Sequence, residues 1–398
     1  MFYPAHLNLQ DRNCLVVGGG VVAERKAVSL LLSGGIVTTI SPEVTELLAY
    51  LAETGQISWY KRQFRAGDTI GMFLVFGATD FSEINSVVFK DAYETNGISL
   101  VNIVDVIPEC TFASASVIAP EGMSLSISTS GKSPAMTRRI REYLERKFGA
   151  ISLYSVGHHD GQPVPVESRQ LPYPVSLPLE KRTCVVILPV QKMSSQMKRR
   201  VILLEECGAS VVYMASTHLD SQMLSNAFLV FIDFDSFDDI YIEQYLQLVE
   251  DLGALKSGAF VTPQVVMDGD LIISVSSQNN EVTDTGGFEQ MQGEIAQQFE
   301  NRGYGKFVDF LGSLRPHVLE AISTQRERQK FFETFIDQVP CLHADTRLDE
   351  EAKCCLGLGK PDCSNSCVFN LVRQGEIESV RQYALAKIKK KACSALAT

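Results

Sequence analysis

A glycine-rich turn near the start of the chain has the residue types and the spacing that dinucleotide binding requires. Cys14–Val17 is an apolar run of strand length, and Gly18, Gly20 and Ala23 follow it at the start of a helical pattern. The first glycine permits a tight turn, the second lets the backbone approach a pyrophosphate, and the alanine lets the helix pack closely on the strand. The helix N-terminus would offer free N–H groups to the phosphates. A tight turn in another kind of α/β domain is the alternative interpretation.

Further polar residues are predicted at the same edge of the sheet. The second strand, Ile36–Ile40, ends at Ser41, where an Asp or Glu that binds ribose is usual, so this position does not distinguish NAD from NADP. The strand Phe73–Phe76 runs towards Asp80, which is either a wall of the site or a helix cap, and capping is the commoner role. The predicted cofactor contacts are Gly18, Gly20, Val21, Val22, Ser41, Ala78, Thr79 and Asp80.

Asp105 follows another strand at this edge. The strand, Leu100–Ile103, ends close to this carboxylate, and ligands of open parallel sheets bind outside the carboxyl ends of the strands. Asp105 is therefore a candidate catalytic residue, and a cap or turn residue is the alternative. Strands alternate with helices throughout 1–113, which predicts an α/β fold with a mainly parallel sheet and helices on both faces, organised as an NAD-binding Rossmann-like domain.

A small second sheet and a basic helix follow, and we assign them to a subdomain at 114–150. Two alternating segments, 112–118 and 124–128, predict a hairpin. Arginines near the start of a helix suit a polyanionic ligand, because they form charge-assisted hydrogen bonds with it. A solvated helix face is the alternative. The basic residues are Lys132, Arg138, Arg139 and Arg141.

The chain then begins again, which predicts a tandem duplication. Tyr3 and the strand Phe73–Phe76 recur as Tyr173 and Phe228–Phe231. The glycine turn does not recur, since Leu188-Pro189-Val190 takes its place and blocks close approach of a pyrophosphate. We infer that the second copy keeps the shape and loses the chemistry. The predicted boundaries are a linker at 151–172, a degenerate Rossmann-like copy at 173–258, a second small sheet at 259–284, a helical domain at 285–340 and a cysteine-rich tail at 341–398.

Cysteines are concentrated in that tail. Four thiolates can hold an iron–sulfur cluster or Zn²⁺, although the spacing here matches no common ligand pattern. A group of reduced, partly buried cysteines is the alternative. The candidate metal ligands are Cys341, Cys355, Cys363 and Cys367, and Cys354 lies among them.

The overall composition argues against several classes of protein. The formal net charge of −11 disfavours nucleic acid or an anionic membrane as the main partner. No apolar run approaches the roughly 20 residues of a membrane span, and the N-terminus lacks the pattern of a signal peptide. In an unexported protein, cysteines favour thiols or metal ligands over disulfides. We therefore expect a cytoplasmic protein.

Residues 5–148 resemble the dehydrogenase–chelatase module of siroheme synthases. The resemblance rests on four motifs, at 14–26, 78–80, 101–105 and 128–134. The helical segment 285–338 resembles the C-terminal helical domain of that family, including 328–332. The resemblance implies oxidation of precorrin-2 to sirohydrochlorin with NAD⁺. Many members of the family then insert Fe²⁺, as a substrate, to give siroheme.

The resemblance also implies roles for individual residues. Asp105 corresponds to the carboxylate that serves both steps in the family, and one base can accept the proton released on oxidation and the pyrrole protons released on metal insertion. Thr129 stands where the family often has a serine in the tetrapyrrole pocket. The family works as a homodimer, so a chain with two copies is expected to form a pseudo-dimer by itself or to dimerise. The implied substrate contacts are Asn102, Ser128, Thr129, Lys132, Arg138 and Arg139.

Two other functions fit the same residues. One is a dehydrogenase without chelatase activity. The other is a non-enzymatic regulator that binds NAD(H) or a tetrapyrrole and senses redox state through the cysteine tail. The combination of Gly18, Gly20 and Asp105 favours an enzyme, because a scaffold has no need of all three.

Overall fold

The structure is a computed structural model that describes residues 2–104, 106, 109–119, 123–149, 151–152, 156–188, 193–215, 220–233, 260–261, 263–277, 285–336 and 368–395. The strands are β1 Tyr3–Leu7, β2 Asn13–Val17, β3 Ile36–Ile40, β4 Ser58–Tyr60, β5 Leu74–Gly77, β6 Leu100–Ile103, β7 Ala113–Ser114, β8 Ser116–Ala119, β9 Met123–Ser128, β10 Ile151–Ser152, β11 His158–His159, β12 Gln162–Pro163, β13 Tyr173–Leu177, β14 Thr183–Leu188, β15 Ser210–Ala215, β16 Leu229–Ile232, β17 Phe260–Val261, β18 Gln264–Asp268 and β19 Leu271–Ser277.

The helices of the described chain account for most of its remaining regular structure. They are α1 Val21–Leu32, α2 Glu46–Glu53, α3 Ser82–Phe89, α4 Pro134–Phe148, α5 Ser195–Glu206, α6 Ser221–Asn226, α7 Thr285–Phe299, α8 Tyr304–Ala321, α9 Gln325–Ile336, α10 Val368–Gln374 and α11 Ile377–Ala395, and a π-helical turn, Lys90–Thr95, continues α3. No helix in these described ranges combines the length and the apolar character that a membrane crossing requires.

The N-terminal parallel sheet confirms the predicted α/β fold. Its strand order is β4-β3-β2-β5-β6, and all four pairings are parallel. Leu15, Val16 and Val17 are buried because both faces of β2 are covered, which explains why this strand has an uninterrupted apolar sequence. The chain adds β3 and β4 on one side of β2 and then β5 and β6 on the other. The crevice between β2 and β5 is therefore the switch point at which such sheets bind ligands.

A second, smaller parallel sheet lies in the region where the sequence predicts a repeat. Its order is β15-β14-β16, so β14 has a neighbour on each side, as β2 does. The central strand is again buried and apolar, with Val185 and Val186 fully inaccessible to solvent. Helix α5 follows β14 as α1 follows β2.

A four-stranded sheet of order β17-β1-β13-β7 joins the two halves. Strands β1 and β13 pair antiparallel, with Tyr3 opposite Leu177 and Leu7 opposite Tyr173. Tyr173 and Leu177 lie 170 positions after Tyr3 and Leu7, so the two pairs are equivalent and the pairing is symmetrical. Strand β17 of the later half pairs with β1 of the earlier half, and β7 pairs with β13. From either edge, the sheet therefore consists of a short strand of one half, followed by the long strand of the other half.

The small hairpins of the two halves form a second shared sheet of order β10-β8-β9-β19-β18. Strands β9 and β19 pair antiparallel with Ser126 opposite Ser274, and the two hydroxyl oxygens are 2.6 Å apart. His6, on β1, lies 2.8 Å through Nε2 from the hydroxyl of Ser274 and 2.6 Å through Nδ1 from that of Ser276. This buried polar chain links the two joining sheets.

Two main hydrophobic cores support these sheets. One lies between the β17-β1-β13-β7 sheet and the two parallel sheets, and it combines α1, α2 and α5 with residues of both halves. The other combines the shared hairpin sheet with α4, α7, α8 and α9. Phe369 of α10 and Val380 of α11 also belong to this second core, so the described end of the chain packs against the helical domain.

His6 makes the stability of the fold depend on pH. Burial lowers the pKa of His6 to about 3 from its usual value near 6.5, so the folded protein holds the ring neutral while the unfolded chain protonates it. His6 therefore contributes stability that is fully present above pH 6.5 and is lost as the pH falls towards 3, at ~1.4 kcal/mol per pH unit. We expect His6→Gln to have a smaller difference in urea-unfolding midpoint between pH 7 and pH 5 than the wild type. An identical difference in the two proteins would contradict this role.

Candidate functional site

The glycine turn lies at the switch point, and each glycine has its own steric reason. A Cβ at Gly18 would lie 2.3 Å from the carbonyl oxygen of Ala78, and the φ of Gly18 is +128°. A Cβ at Gly19 would lie 1.9 Å from the carbonyl oxygen of Glu43. At Gly20 a Cβ would meet nothing within 4 Å. The first two glycines therefore allow the backbone to pack, and the third leaves open space above the turn.

The N-terminus of α1 faces that open space. Gly20 is the N-cap of α1 and has no side chain to accept hydrogen bonds from the first turn. Val21 and Val22 are 55% and 43% exposed, whereas Ala23 is fully buried against the sheet. Because the first N–H groups of a helix have no partner within it, this terminus is suited to an anion such as a pyrophosphate.

The chain after β5 forms the opposite wall of the crevice. Asn85 of α3 accepts hydrogen bonds from the backbone N–H of Thr79, at 3.2 Å, and from its hydroxyl, at 2.8 Å, and donates to its carbonyl oxygen at 2.9 Å. Helix α3 begins after Phe81, which is its N-cap, so the prediction that Asp80 caps this helix is wrong. The exposed Asp80 stays at the mouth of the crevice because Thr79 bonds with the backbone of Phe81 instead.

Ser41, after β3, is fixed by its backbone. Its carbonyl oxygen accepts a hydrogen bond from Nε1 of Trp59 at 3.0 Å, and its N–H donates to the carbonyl oxygen of Tyr60. The side chain is buried beside Gly19. The loop after β3 therefore lies against the glycine turn, as the loop that meets the ribose does in a dinucleotide-binding sheet.

The segment after β6 returns across the sheet edge. Nδ2 of the buried Asn102 donates to the carbonyl oxygen of Phe112 at 2.8 Å, and the thiol of Cys110 donates to the carbonyl oxygen of Ile103 at 3.1 Å. These bonds close a loop around the end of β6. Asn102 thus holds the loop together, and Asp105 lies outside the described residues.

The hydroxyls predicted to meet the substrate order the loop after β9. Ser128 accepts a hydrogen bond from the N–H of Ser130 at 3.3 Å. Thr129 accepts one from the N–H of Ser133 at 3.2 Å, and its hydroxyl lies 3.0 Å from that of Thr137. This loop leads directly into the basic helix α4, so its conformation determines the position of the first turn of that helix.

Lys132 connects the first half to later parts of the chain. Its ammonium pairs with Asp270, in the turn between β18 and β19, and with Asp309 of α8 at 2.6 Å. Gly131 also contacts α8, because its carbonyl oxygen accepts a hydrogen bond from Arg315 at 2.6 Å. Lys132 thus fastens the loop after β9 to the helical domain.

The arginines of α4 have carboxylate partners. Arg138 pairs with Glu333 of α9 and lies 3.7 Å from Glu142, and Arg139 lies 3.6 Å from Glu142. Partly exposed pairs of this kind contribute little stability. A substrate carboxylate that reached these arginines would therefore replace weak partners.

The corresponding crevice of the second half contains an internal carboxylate. Asp233 follows β16 as Ala78 follows β5, and its side chain is 2% exposed. Oδ2 of Asp233 accepts a hydrogen bond of 2.6 Å from the N–H of Ser194, which is the N-cap of α5. The hydroxyl of Ser194 in turn accepts from the N–H of Met197 at 3.1 Å. The start of α5 therefore has a hydroxyl and a carboxylate acceptor from the protein itself, whereas no cap side chain accepts at the start of α1.

The metal site predicted in the tail is not tested by the structure. Its candidate ligands, Cys341, Cys355, Cys363 and Cys367, lie outside the described residues. Within the ranges that are described, no group of three or more His, Cys, Asp or Glu side chains is arranged to hold a metal ion.

Comparison with protein families gives three matches along the chain. Residues 5–116 match the family model described as "Putative NAD(P)-binding". Residues 121–147 match "Sirohaem biosynthesis protein central", and 303–352 match "Sirohaem synthase dimerisation region". Residues 5–147 are thus similar to a module of siroheme synthases. The dinucleotide crevice and the loop after β9 both lie within this module.

Curated siroheme synthases show how much of the chain the likeness covers. The siroheme synthase of Photorhabdus laumondii is 38% identical over 144 residues, which are 36% of this chain and 30% of the relative. Siroheme synthase 1 of Aeromonas salmonicida is 36% identical over 160 residues, 39% of this chain and 34% of the relative. The chain thus spans about a third of the length of these relatives. A solved structure, the precorrin-2 dehydrogenase SirC, is 28% identical over 36% of this chain and 69% of that one, with a TM-score of 0.32.

Sequence reasoning missed two residues that shape the module. Gly19 received no role, although it is the glycine with the closest neighbour, the carbonyl oxygen of Glu43. Asn85 was overlooked because its partner, Thr79, lies before α3 and only the helix brings the amide back to it. The only sequence signal for Gly19 is its place in a run of three glycines.

The three glycines should respond differently to a methyl group. We expect Gly20→Ala to fold with an almost unchanged melting temperature and to bind NAD⁺ about tenfold more weakly, because its methyl enters the space for the pyrophosphate. Gly18→Ala should lose about 1–3 kcal/mol of stability through its positive φ and its contact with Ala78. Thermal unfolding and titration with NADH fluorescence measure the two effects. Wild-type affinity in Gly20→Ala would place the pyrophosphate elsewhere.

The internal carboxylate should stabilise the second half without affecting the cofactor. Asp233→Ala leaves the half-buried N–H of Ser194 without its acceptor, so we expect a loss of about 1–3 kcal/mol. Asp233→Asn keeps an acceptor oxygen and should lose less, and both variants should still bind one NAD⁺ per chain. Urea unfolding and calorimetric titration measure these quantities. A second bound NAD⁺ in the wild type would contradict this assignment of Asp233.

Proposed function

We propose that the protein oxidises precorrin-2 to sirohydrochlorin, with NAD⁺ bound in the crevice between β2 and β5. The observation that carries this proposal is the open anion site at the N-terminus of α1, inside a region similar to a module of siroheme synthases. The names of the relatives and the match at 121–147 supply the substrate class.

The residues of the crevice suit a dinucleotide. The pyrophosphate would lie over Gly20 and accept hydrogen bonds from the first turn of α1, where no side chain of the cap competes. The adenosine half would extend towards Ser41 and the nicotinamide half towards Thr79, because β3 and β5 flank β2 on opposite sides. NAD⁺, when bound, supplies the acceptor for the hydride.

Asp105 is the proposed base. Loss of a hydride from precorrin-2 must be accompanied by loss of a proton, and a carboxylate beside the nicotinamide half can accept it. The assignment rests on the position of Asp105 two residues after β6, which neighbours β5, and on the family motif at 101–105. The hydrogen bonds of Asn102 and Cys110 support it, since they hold the two ends of the loop that carries this residue.

The acidic substituents of the tetrapyrrole would meet the loop after β9 and the start of α4. Thr129 orders that loop, and Arg138 and Arg139 lie on the helix that follows, each partly exposed. Carboxylates that displace Glu142 and Glu333 would form charge-assisted hydrogen bonds with these guanidinium groups. Lys132, which already has two carboxylate partners, would act mainly by holding the loop.

We further propose that the chain is a tandem pseudo-dimer with one cofactor site. The symmetrical pairing of β1 with β13 and of β9 with β19 supports this, because a two-fold axis between equivalent copies produces such contacts. The carboxylate of Asp233 at the start of α5 supports a single site, since an anionic phosphate and this carboxylate cannot share one helix end. The match at 303–352 leaves a role for the helical domain in assembly between chains.

The proposed role of Asp105 separates chemistry from cofactor binding. We expect Asp105→Asn to bind NAD⁺ with wild-type affinity and to lose at least about a hundredfold in the rate of precorrin-2 oxidation, because the amide cannot accept the proton. Sirohydrochlorin formation is followed by its absorbance, with the wild type as reference. A wild type that binds NAD⁺ but does not turn over would favour a regulator, and full activity in Asp105→Asn would exclude this base.

A further inference from the structure

Lys26 lies in the middle of the module and has no carboxylate partner among the residues that the structure describes. It lies on α1, on the side of the helix that faces β5, and its ammonium is 4.9 Å from the centre of the Phe76 ring. The exposed Arg25 precedes it on the helix.

The surroundings of Lys26 disfavour a free charge. The ammonium lies over the ring of Phe76, and that ring packs edge-on against Phe112 with the ring centres 5.6 Å apart. Burial lowers the pKa of Lys26 to about 8, and the nearby thiol of Cys110 offsets part of this effect. Lys26 is half-buried on the surface of α1, so a ligand can reach it.

The topology places this cation on the reaction side of the crevice. Side chains of a helix lean towards its N-terminus, so Lys26 extends towards the carboxyl ends of the strands. Phe76 is the penultimate residue of β5, and Cys110 bonds to the carbonyl oxygens of Ile103 and Val106 around the end of β6. Strands β5 and β6 flank the half of the crevice that is opposite to the adenosine side.

We propose that Lys26 binds a carboxylate of the tetrapyrrole substrate and so positions the macrocycle beside the nicotinamide half of the cofactor. This inference rests on the proposed function. A partly buried ammonium with an aromatic surface beneath it gains most from an anion that arrives with the substrate, because charge-assisted hydrogen bonds are stronger away from bulk water. NAD⁺ itself has its anionic groups at the start of α1, more than one turn before Lys26.

Binding of sirohydrochlorin, the product, tests this role without turnover. We expect Lys26→Met to weaken its binding at least about tenfold and to raise the KM for precorrin-2 by a similar factor, with the affinity for NAD⁺ within about twofold of the wild type. Lys26→Arg should restore most of the affinity, because the guanidinium keeps the charge. Arg25→Gln removes the same charge from the exposed neighbouring position and should change neither affinity. Absorbance titration and thermal unfolding measure binding and folding for each variant.

The pH dependence separates ligand binding from a purely structural role. In the wild type, affinity for sirohydrochlorin should fall above pH 8 as Lys26 loses its proton, and Lys26→Arg should keep its affinity to about pH 9.5. Among the described residues of the connection after β6, Cys110 is the titratable group that influences Lys26, and Phe76 faces it from β5. Cys110→Ser should therefore keep the fall in affinity.

The outcomes distinguish this inference from the proposed function. Wild-type affinity for sirohydrochlorin in Lys26→Met, or an equal loss of NAD⁺ affinity, would overturn the role of Lys26. If the wild type binds NAD⁺ but neither binds sirohydrochlorin nor oxidises precorrin-2, the proposed function itself fails.

Discussion

The first half of the chain depends on one close backbone approach. The strand β2 ends at Gly18, which passes so near the carbonyl oxygen of Ala78 that no side chain fits between them. This contact holds the ends of β2 and β5 together, and it directs α1 across the crevice with its N-terminus exposed to a ligand. The missing Cβ atoms of Gly18 and Gly19 allow this packing, and the missing Cβ of Gly20 leaves open space where a pyrophosphate could lie.

The two halves treat the same structural problem in opposite ways. A helix that follows a central strand presents unpaired N–H groups at the switch point. In the first half no side chain of the cap satisfies them, and Gly20 has open space above it. In the second half the hydroxyl of Ser194 accepts a hydrogen bond from the first turn, and Asp233 accepts one from the N–H of Ser194. The two helix starts thus differ in their surroundings, with open space at Gly20 in the first half and the buried carboxylate of Asp233 in the second.

The second half still contributes to the first through shared sheets. Strand β13 completes the sheet of β1, and β19 completes that of β9, so the two halves share one core on each side. His6 makes this junction unequal, because its counterpart 170 positions later is Ser176. His6 hydrogen-bonds with the hydroxyls of Ser274 and Ser276 and so fixes the position of β1 relative to β19. Lys132 adds an ion pair between the loop after β9 and α8.

The sequence by itself determined the parallel sheet, the glycine turn and the second set of strands, because uninterrupted apolar runs and glycine spacing are local signals that burial imposes on any such sheet. Observed strands such as Ile36–Ile40 and Leu100–Ile103 have the bounds that the pattern predicts. Only the tertiary structure decided the partners of distant side chains. Examples are the hydrogen bond of Asn85 to Thr79, that of Asp233 to Ser194, and the position of Lys26 over Phe76. These contacts depend on how helices return to the strand ends, and residue spacing does not encode that geometry.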